Sequence, residues 1–335
     1  MSGSWTAAHD FTAKLPDGNM LYFSITDTVA HTVAVTYESR NGGTPAKLQS
    51  GRLEIPSSVK YKDVSYRVTA IGKNAFSGAK RLTDVVLPPA LEKIGAAAFE
   101  GCPALKGIVF PGRQIELGEG AFKDCPAIEA ISFGSDWSSI DLAAFSGADS
   151  LRVVRIPARV RQLTHIGQLP ALERVEVDPN NPTFASKDGL LYSKDGKTLL
   201  TCPRGRQGSV TIADGVETVL EGAFAGCRAL SEVSLPATVR ALSYQEFSSC
   251  QNLKSLTLAA PMPPTTALAD KVAVFALRVP SPEFELCVPA EARQLYLAAL
   301  RSGEGNYTNA SGGQAGACKE DELLGRNQIK TIRKK

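Results

Sequence analysis

An Ala-Phe pair recurs along this chain at a constant interval. The phenylalanines of the first four pairs are 23 residues apart, at Phe76, Phe99, Phe122 and Phe145. The interval is interrupted once and then resumes at Phe224 and Phe247, again 23 residues apart. A fixed period of about 20 to 50 residues is typical of a solenoid, in which each coil stacks on its neighbours because it cannot bury its apolar side alone.

Each coil also carries a short strand pattern. In residues 105–111 the apolar side chains alternate as in a strand, and Pro111, which has no N–H group, ends it. The pattern returns at 82–88, 151–157 and 230–236. Strands joined by connections of about twenty residues run parallel, so we predict a parallel sheet along one side. The Ile-Gly step before each Ala-Phe pair predicts a second short strand, and the pair itself predicts a single helical turn.

The whole repeat, Ile-Gly-x-x-Ala-Phe-x-x-Cys-x-x-Leu-x-x-Ile-x-Leu-Pro, is most complete at residues 94–111. It resembles the repeat of the BspA-like leucine-rich-repeat proteins. Among its departures from that pattern, Gly134 replaces the proline and Glu246 replaces the alanine. The resemblance implies a right-handed β/α superhelix, a mostly β repeat solenoid of about 23-residue coils with a parallel sheet, from a bacterial secreted or surface protein.

The domain boundaries follow from where the repeat begins and ends. We predict a β-rich N-terminal cap at 1–52, with strands at 20–25 and 32–37, and a solenoid at 53–258. Two antiparallel hairpins interrupt the solenoid, one at 61–66 and one in an insert at 178–204, where Asp195-Gly196 forms the turn. An α+β C-terminal cap at 259–335 contains a helix starting at Pro289 and a flexible loop at 302–316.

The cysteines follow the repeat rather than a disulfide pattern. Cys102, Cys125, Cys227 and Cys250 occupy one repeat position, where an inward-pointing small side chain is needed. We therefore predict buried free thiols. The chain has no Cys-x-x-Cys spacing, which disfavours zinc binding and thiol redox chemistry.

Composition excludes several classes of partner. The chain has 37 Lys and Arg residues against 34 Asp and Glu residues, and this small excess of positive charge does not favour binding to nucleic acid or lipid. No apolar run approaches the roughly 18 residues of a membrane span. The first ten residues lack the features of a signal peptide. Since the resemblance implies export, either a signal has been removed or this member stays inside; we expect an extracellular or cell-surface location.

The sequence offers little basis for catalysis. Its three histidines, His9, His31 and His165, have no recognisable catalytic partner, and no nucleophile, phosphate-binding or zinc-protease motif is present. The Asp and Asn residues after position 177 hint at calcium, but Pro182 stands where an acidic ligand is needed, which favours a structural turn. We predict no enzyme activity, no cofactor and no metal.

The outward positions of the strands form columns that would face the concave side of the solenoid, where solenoids bind partners. Early coils place Val86 and Val109 there, and later coils place charges. The candidate partner-binding residues are Lys106, Glu129, Arg152, Arg155, Glu173, Arg174 and Glu176. We predict a host or extracellular protein as partner, with adhesion as the function. The alternatives are a glycan-binding or cell-envelope structural protein, and charges that merely solvate the sheet.

Overall fold

The computed structural model of the protein describes residues 9–37, 51–242, 246–247, 249–264, 284–302 and 328–331. The chain divides into two compact units, Met1–Pro182 and Thr183–Lys335. This division falls inside the insert predicted at 178–204. No helix among the described residues combines the length and the apolar character required to cross a membrane.

The first unit is built almost entirely of short strands. Its described strands are β1 (Phe11–Lys14), β2 (Met20–Asp27), β3 (Thr32–Thr36), β4 (Arg52–Glu54), β5 (Ser58–Tyr61), β6 (Val64–Ile71), β7 (Asp84–Val86), β8 (Lys93–Ile94), β9 (Gly107–Val109), β10 (Glu116–Leu117), β11 (Ala130–Ser132), β12 (Ser139–Asp141), β13 (Val153–Ile156), β14 (Gln162–Thr164) and β15 (Arg174–Val177). Its described residues also form two 3₁₀ turns, Leu142–Phe145 at the fourth Ala-Phe pair and Ile166–Gln168 after β14.

The N-terminal strands continue the ladder of the coils. Strands β1, β2 and β3 pair antiparallel, and β3 then pairs parallel with β6, which leads to β8 and β10. The predicted cap strands and the predicted Ile-Gly strands are therefore confirmed. The hairpin predicted at 61–66 is β5 with β6, whose two turn residues, Lys62 and Asp63, have positive φ.

The parallel sheet predicted along one side is confirmed, with one difference. Strands β4, β7, β9 and β11 form one parallel sheet, and β13 pairs with β15 in another. Strand β13 lies next to β11 but shares no ladder with it. The strand side of the first unit is thus two sheets whose edges adjoin.

The Ala-Phe turns bind successive coils together. The backbone N–H of Phe76 donates to the carbonyl of Ala98 at 2.7 Å, and that of Phe99 to Ala121 at 2.8 Å. The phenyl rings of Phe76, Phe99, Phe122 and Phe145 lie fully buried with successive centroids 5.0–5.1 Å apart.

The glycine of the Ile-Gly step keeps the coils this close. A Cβ on Gly95 would lie 2.6 Å from the backbone nitrogen of Lys73, and one on Gly118 would lie 2.4 Å from that of Ala96. Because real Cβ contacts are longer, any side chain there would push neighbouring coils apart.

The second unit repeats the same construction. Its described strands are β16 (Phe184–Lys187), β17 (Leu190–Ser193), β18 (Thr198–Thr201), β19 (Gly208–Thr211), β20 (Thr218–Val219), β21 (Leu230–Leu235), β22 (Ser255–Leu258), β23 (Glu285–Val288) and β24 (Gln328–Thr331). The hairpin predicted across Asp195-Gly196 is β17 with β18, and β18 pairs parallel with β20. Strands β19, β21, β22, β23 and β24 form a parallel sheet in that order.

The C-terminal helix begins later than predicted. Pro289 is extended, with ψ 141°, and caps a 3₁₀ turn, Ala290–Ala292, before helix α1 (Arg293–Ser302). In this helix Tyr296 is buried and donates its hydroxyl to the carbonyl of Ala260, whereas Leu295 is exposed. The loop predicted at 302–316 lies outside the described residues beyond Ser302.

The repeat cysteines are buried, as predicted. The thiols of Cys102, Cys125 and Cys250 each donate to the carbonyl of the phenylalanine 26 residues earlier, at 3.2, 3.1 and 3.6 Å. Burial raises the pKa of the Cys250 thiol. A thiol buried in the core is inaccessible to a substrate, so these cysteines act as small apolar side chains with one weak hydrogen bond.

We expect Phe99→Ala to destabilise the first unit strongly, because it removes a fully buried ring that has a stacked neighbour on each side. The loss should be about 3–5 kcal/mol. The control Lys106→Ala removes an exposed side chain and should change stability by about 0.5 kcal/mol or less. Urea denaturation of both variants measures the difference, and equal losses would contradict the stacked core.

Glu246 is a buried carboxylate in the second unit. Its side chain is 1% exposed and accepts hydrogen bonds from the backbone N–H groups of Gly222 at 3.0 Å and Phe224 at 2.6 Å. The N–H groups of Phe76 and Phe99 donate to backbone carbonyls of the next coil, whereas the N–H of Phe224 donates to the Glu246 carboxylate. Burial raises its pKa to about 7, against the opposing effect of the two N–H donors.

This raised pKa predicts that the second unit loses stability as pH rises. Because the pKa of Glu246 is higher in the folded protein than its ordinary value of 4.5, the folded state binds this proton more tightly than the unfolded state does. The resulting contribution to stability is fully present below pH 4.5 and is lost as the pH rises through about 7. Relative to Glu246→Gln, which carries no charge, the native protein should lose about 3 kcal/mol between pH of about 4 and 8. Denaturation of both proteins across this range tests it, with exposed Glu232→Gln as control. Parallel profiles for native and Glu246→Gln proteins would refute the assignment.

Candidate interaction surface

The structure corrects one expectation about catalysis. His165 does have a partner, because its Nδ1 lies 2.6 Å from Oδ1 of Asp141 on the neighbouring coil. The backbone N–H of Ala143 and the imidazole lower the pKa of the Asp141 carboxyl despite its partial burial. Among the described residues no hydroxyl or thiol hydrogen-bonds to His165, so the pair lacks the nucleophile of a catalytic triad. Its geometry is that of a side-chain hydrogen bond between coils.

The turn after β15 holds the end of the first unit in place. Oδ1 of Asp178 accepts from the backbone N–H of Asn180, and the buried Asn181 amide donates to the carbonyls of Pro157 and Val160 at 2.8 and 2.9 Å. The Asp178 and Asn181 side chains, which suggested a calcium site in the sequence, therefore make structural hydrogen bonds here. In the part of the chain that is described, no group of three or more His, Cys, Asp or Glu side chains could hold a metal ion.

The outward positions of the first-unit strands do stack into the predicted columns within each sheet. We call this surface the strand face. Gly107 pairs with Asp84 on one side and with Ala130 on the other, and Val109 pairs in the same way with Val86 and Ser132. In the second sheet Val153 pairs with Arg174 and Arg155 with Glu176.

The early coils give the strand face an apolar centre. Val109 is 69% exposed and Val86 39%, on adjacent strands. Beside them Gly107 and Ala130 add no polar side chain. A Cβ on Gly107 would lie 2.9 Å from the carbonyl oxygen of Ala130, so even alanine would crowd that position. The result is a small apolar patch, bounded by the exposed Glu54, which pairs with Val86, and Asp84, which pairs with Gly107.

The charges of the later coils are mutually paired. Arg152 pairs with Glu173, and both oxygens of Glu176 are used, Oε2 by Arg155 at 2.8 Å and Oε1 by Arg174 at 3.1 Å. The interleaved glutamates therefore relieve the repulsion that three stacked arginines would create. Because all five side chains are largely exposed, each pair contributes only about 0–1 kcal/mol to folding.

The remaining two candidate residues are differently placed. Lys106 and Glu129 occupy neighbouring rungs, as the backbone bond from Glu129 N–H to the Lys106 carbonyl shows. Both side chains are exposed, and neither has an ion pair among the described residues. Lys106, Glu129, Arg152 and Glu173 thus lie just before β9, β11, β13 and β15, and ion pairs join five of the seven candidates.

Sequence reasoning missed a pocket at the end of the strand face. An open cavity of about 350 Å³ lies where β11, β13 and β15 end, with Ser132, Arg155 and Glu176 along one side. The sequence feature that could have indicated this pocket is Gly134, which replaces the proline that ends other strands. A Cβ there would lie 2.1 Å from the carbonyl oxygen of Pro111, so the chain after β11 lies tightly against the preceding coil, where β11 parts from β13.

Comparison with family models gives a match to the BspA type leucine rich repeat region in six copies, over residues 56–168 and 206–265. These two stretches cover just over half of the 335 residues. Comparison with curated protein sequences gives no match.

Several solved structures resemble the chain. The crystal structure of the pneumococcal vaccine antigen PcpA has a TM-score of 0.52 and 16% identity, covering 97% of this chain and 100% of that one. A leucine rich cell surface protein from Faecalibacterium prausnitzii has a TM-score of 0.41 and 18% identity, covering 97% and 96%. At these identities the first likeness shows the fold, and the second carries no further argument.

Proposed function

Because the chain belongs to the BspA type leucine-rich repeat family, we propose that it is a non-catalytic binding protein whose strand face holds a protein partner. Solenoids of stacked repeats characteristically bind through their extended sheet surface, where side chains from many coils act together. Membership of a family typical of bacterial surfaces supports an extracellular or cell-surface location and a role in adhesion to host or matrix proteins.

The observation that carries this proposal is the exposed apolar patch on the strand face. Val109 keeps 69% of its surface in water although it lies in the middle of a sheet and its strand neighbour Val86 is also exposed. A protein interface typically has an apolar centre with few charges and a polar rim. Here the patch has Lys106 and Glu129 beside it and the paired arginines beyond Ser132.

The paired charges have a different role in this proposal. Since Glu173 and Glu176 already neutralise two of the three arginines, an acidic partner would gain little by approaching them. Rim charges chiefly set the association rate and its dependence on salt, whereas the buried centre of an interface sets affinity. We therefore assign affinity to the patch and steering to Arg152, Arg155 and Arg174.

The test is a capture experiment with host extracellular proteins, run beside a glycan array. Val109→Asp should lower the affinity for the captured partner at least about 10-fold, because the substitution buries a charge at the centre of the interface. The matched control is Val29→Asp, which changes an 88% exposed valine in the turn between β2 and β3. Biosensor kinetics measure both variants.

The arginines are tested by changing Arg152, Arg155 and Arg174 together to alanine. We expect a slower association rate and a weaker salt dependence, with a smaller loss of affinity than for Val109→Asp. If both variants stay folded and bind like the native protein, the strand face merely solvates the sheet. Binding to glycans alone would favour the alternative of a glycan-binding or cell-envelope protein.

A further inference from the structure

The pocket at the end of the strand face continues the proposed binding surface. Its lining residue Ser132 ends the column that begins with Val86 and Val109, and its lining residues Arg155 and Glu176 pair with each other on the adjoining sheet. Ser132 pairs with Val109 on a strand about 5 Å away, and Arg155 lies on β13, which lies next to the strand of Ser132. One segment of a partner can therefore cover the apolar patch and reach the pocket.

The floor of the pocket is apolar and firmly held. Phe133 is 8% and Ile156 1% exposed, and both line the cavity. The Phe133 ring packs between Phe110 at 5.5 Å and Trp137 at 5.0 Å, centroid to centroid. Because this aromatic cluster lies in the core, the floor is preformed rather than created when a ligand arrives.

The wall of the pocket is polar and organised. Nε of Arg155 donates to Oε2 of Glu176 at 2.8 Å, which fixes one edge of the guanidinium and leaves its faces available for stacking. Asp178 uses Oδ1 to accept from Asn180, and the hydroxyl of Ser132 adds a further hydrogen-bonding group.

These features restrict what can occupy the pocket. An anion would meet two carboxylates, Glu176 and Asp178, against a single arginine that is already paired. A cation would have to lie beside Arg155, with Arg174 bound to the same glutamate. An aliphatic group would cover the Ser132 hydroxyl and the Asp178 carboxylate without replacing their water.

A tyrosine side chain satisfies all of these groups. Its ring can lie against the half-buried lining residues Pro157 and Val177 and stack on the Arg155 guanidinium, while its hydroxyl donates to a wall acceptor. Resting on the function proposed above, we infer that this pocket is the anchor site for a tyrosine of the protein partner. An exposed tyrosine on the Ser132 side of the residue that covers Val109 is the feature that such a partner must present.

The probe for this inference is N-acetyltyrosinamide, titrated into the full chain while the Ile156 methyl signals are followed by NMR. We expect saturable shifts with a Kd on the order of millimolar, as for a small ligand in an open pocket. N-acetylphenylalaninamide and N-acetylleucinamide should bind at least about 3-fold more weakly, because they lack the hydroxyl donor.

Two variants with a matched control locate the binding. Ser132→Trp fills the pocket from its edge and should abolish the shifts, whereas Ser234→Trp, at the corresponding position of β21 in the second unit, should leave them unchanged. Arg155→Ala should weaken binding about 2- to 5-fold by removing the stacking partner. Circular dichroism melts establish that each variant is folded.

The inference is overturned if the tyrosine probe gives no saturable shift, if the leucine probe binds equally well, or if Ser132→Trp still binds. A captured protein partner that depends on Val109 but tolerates Ser132→Trp would also overturn it, while leaving the proposed function intact. If the native chain captures no protein partner but still binds the tyrosine probe, the proposed function is rejected and the pocket inference stands.

Discussion

Backbone hydrogen bonding between successive coils is the constraint on which the rest of this structure depends. A coil of about 23 residues has too few residues to satisfy its own N–H and C=O groups or to bury its apolar side, so each group needs a partner on the next coil. The Ala-Phe turn meets both needs at once, because the N–H of Phe99 bonds to Ala121 while its ring lies between Phe76 and Phe122. Glycine at positions such as Gly95 and Gly118 allows the approach that these bonds demand.

The binding surface is a consequence of that stacking. In each strand alternate residues point into the core, as Ile108 does, so the residues between them are exposed whatever their chemistry. Because stacking fixes the register, side chains from different coils meet in columns, and exposed charges find partners one coil away, as Arg155 finds Glu176. Where the chain after β11 lies tightly against the preceding coil, the ladder to β13 is lost and a pocket opens.

Much of this could be read from the sequence, because a strict period constrains every coil alike. The strands, their parallel pairing, the buried cysteines and the columns of the strand face all follow from residues that recur. The unpredicted features lie where one coil differs from the rest. Gly134 and Glu246 look like small departures from a degenerate pattern. Gly134, however, follows β11 where the sheet is broken, and Glu246 is a buried carboxylate. The His165–Asp141 pair and the late start of α1 depend on three-dimensional contacts that no spacing reveals.

The central claim is that coil-to-coil bonding at the phenylalanine turns, rather than the ion pairs of the strand face, holds the first unit together. Amide hydrogen exchange tests it most directly. The amides of Phe76, Phe99 and Phe122, each bonded to a carbonyl of the next coil, should exchange only through unfolding of the whole unit, at rates unaffected by salt. Exchange as fast as that of Val29, whose amide donates to the exposed Asp27 carboxylate, would contradict the account.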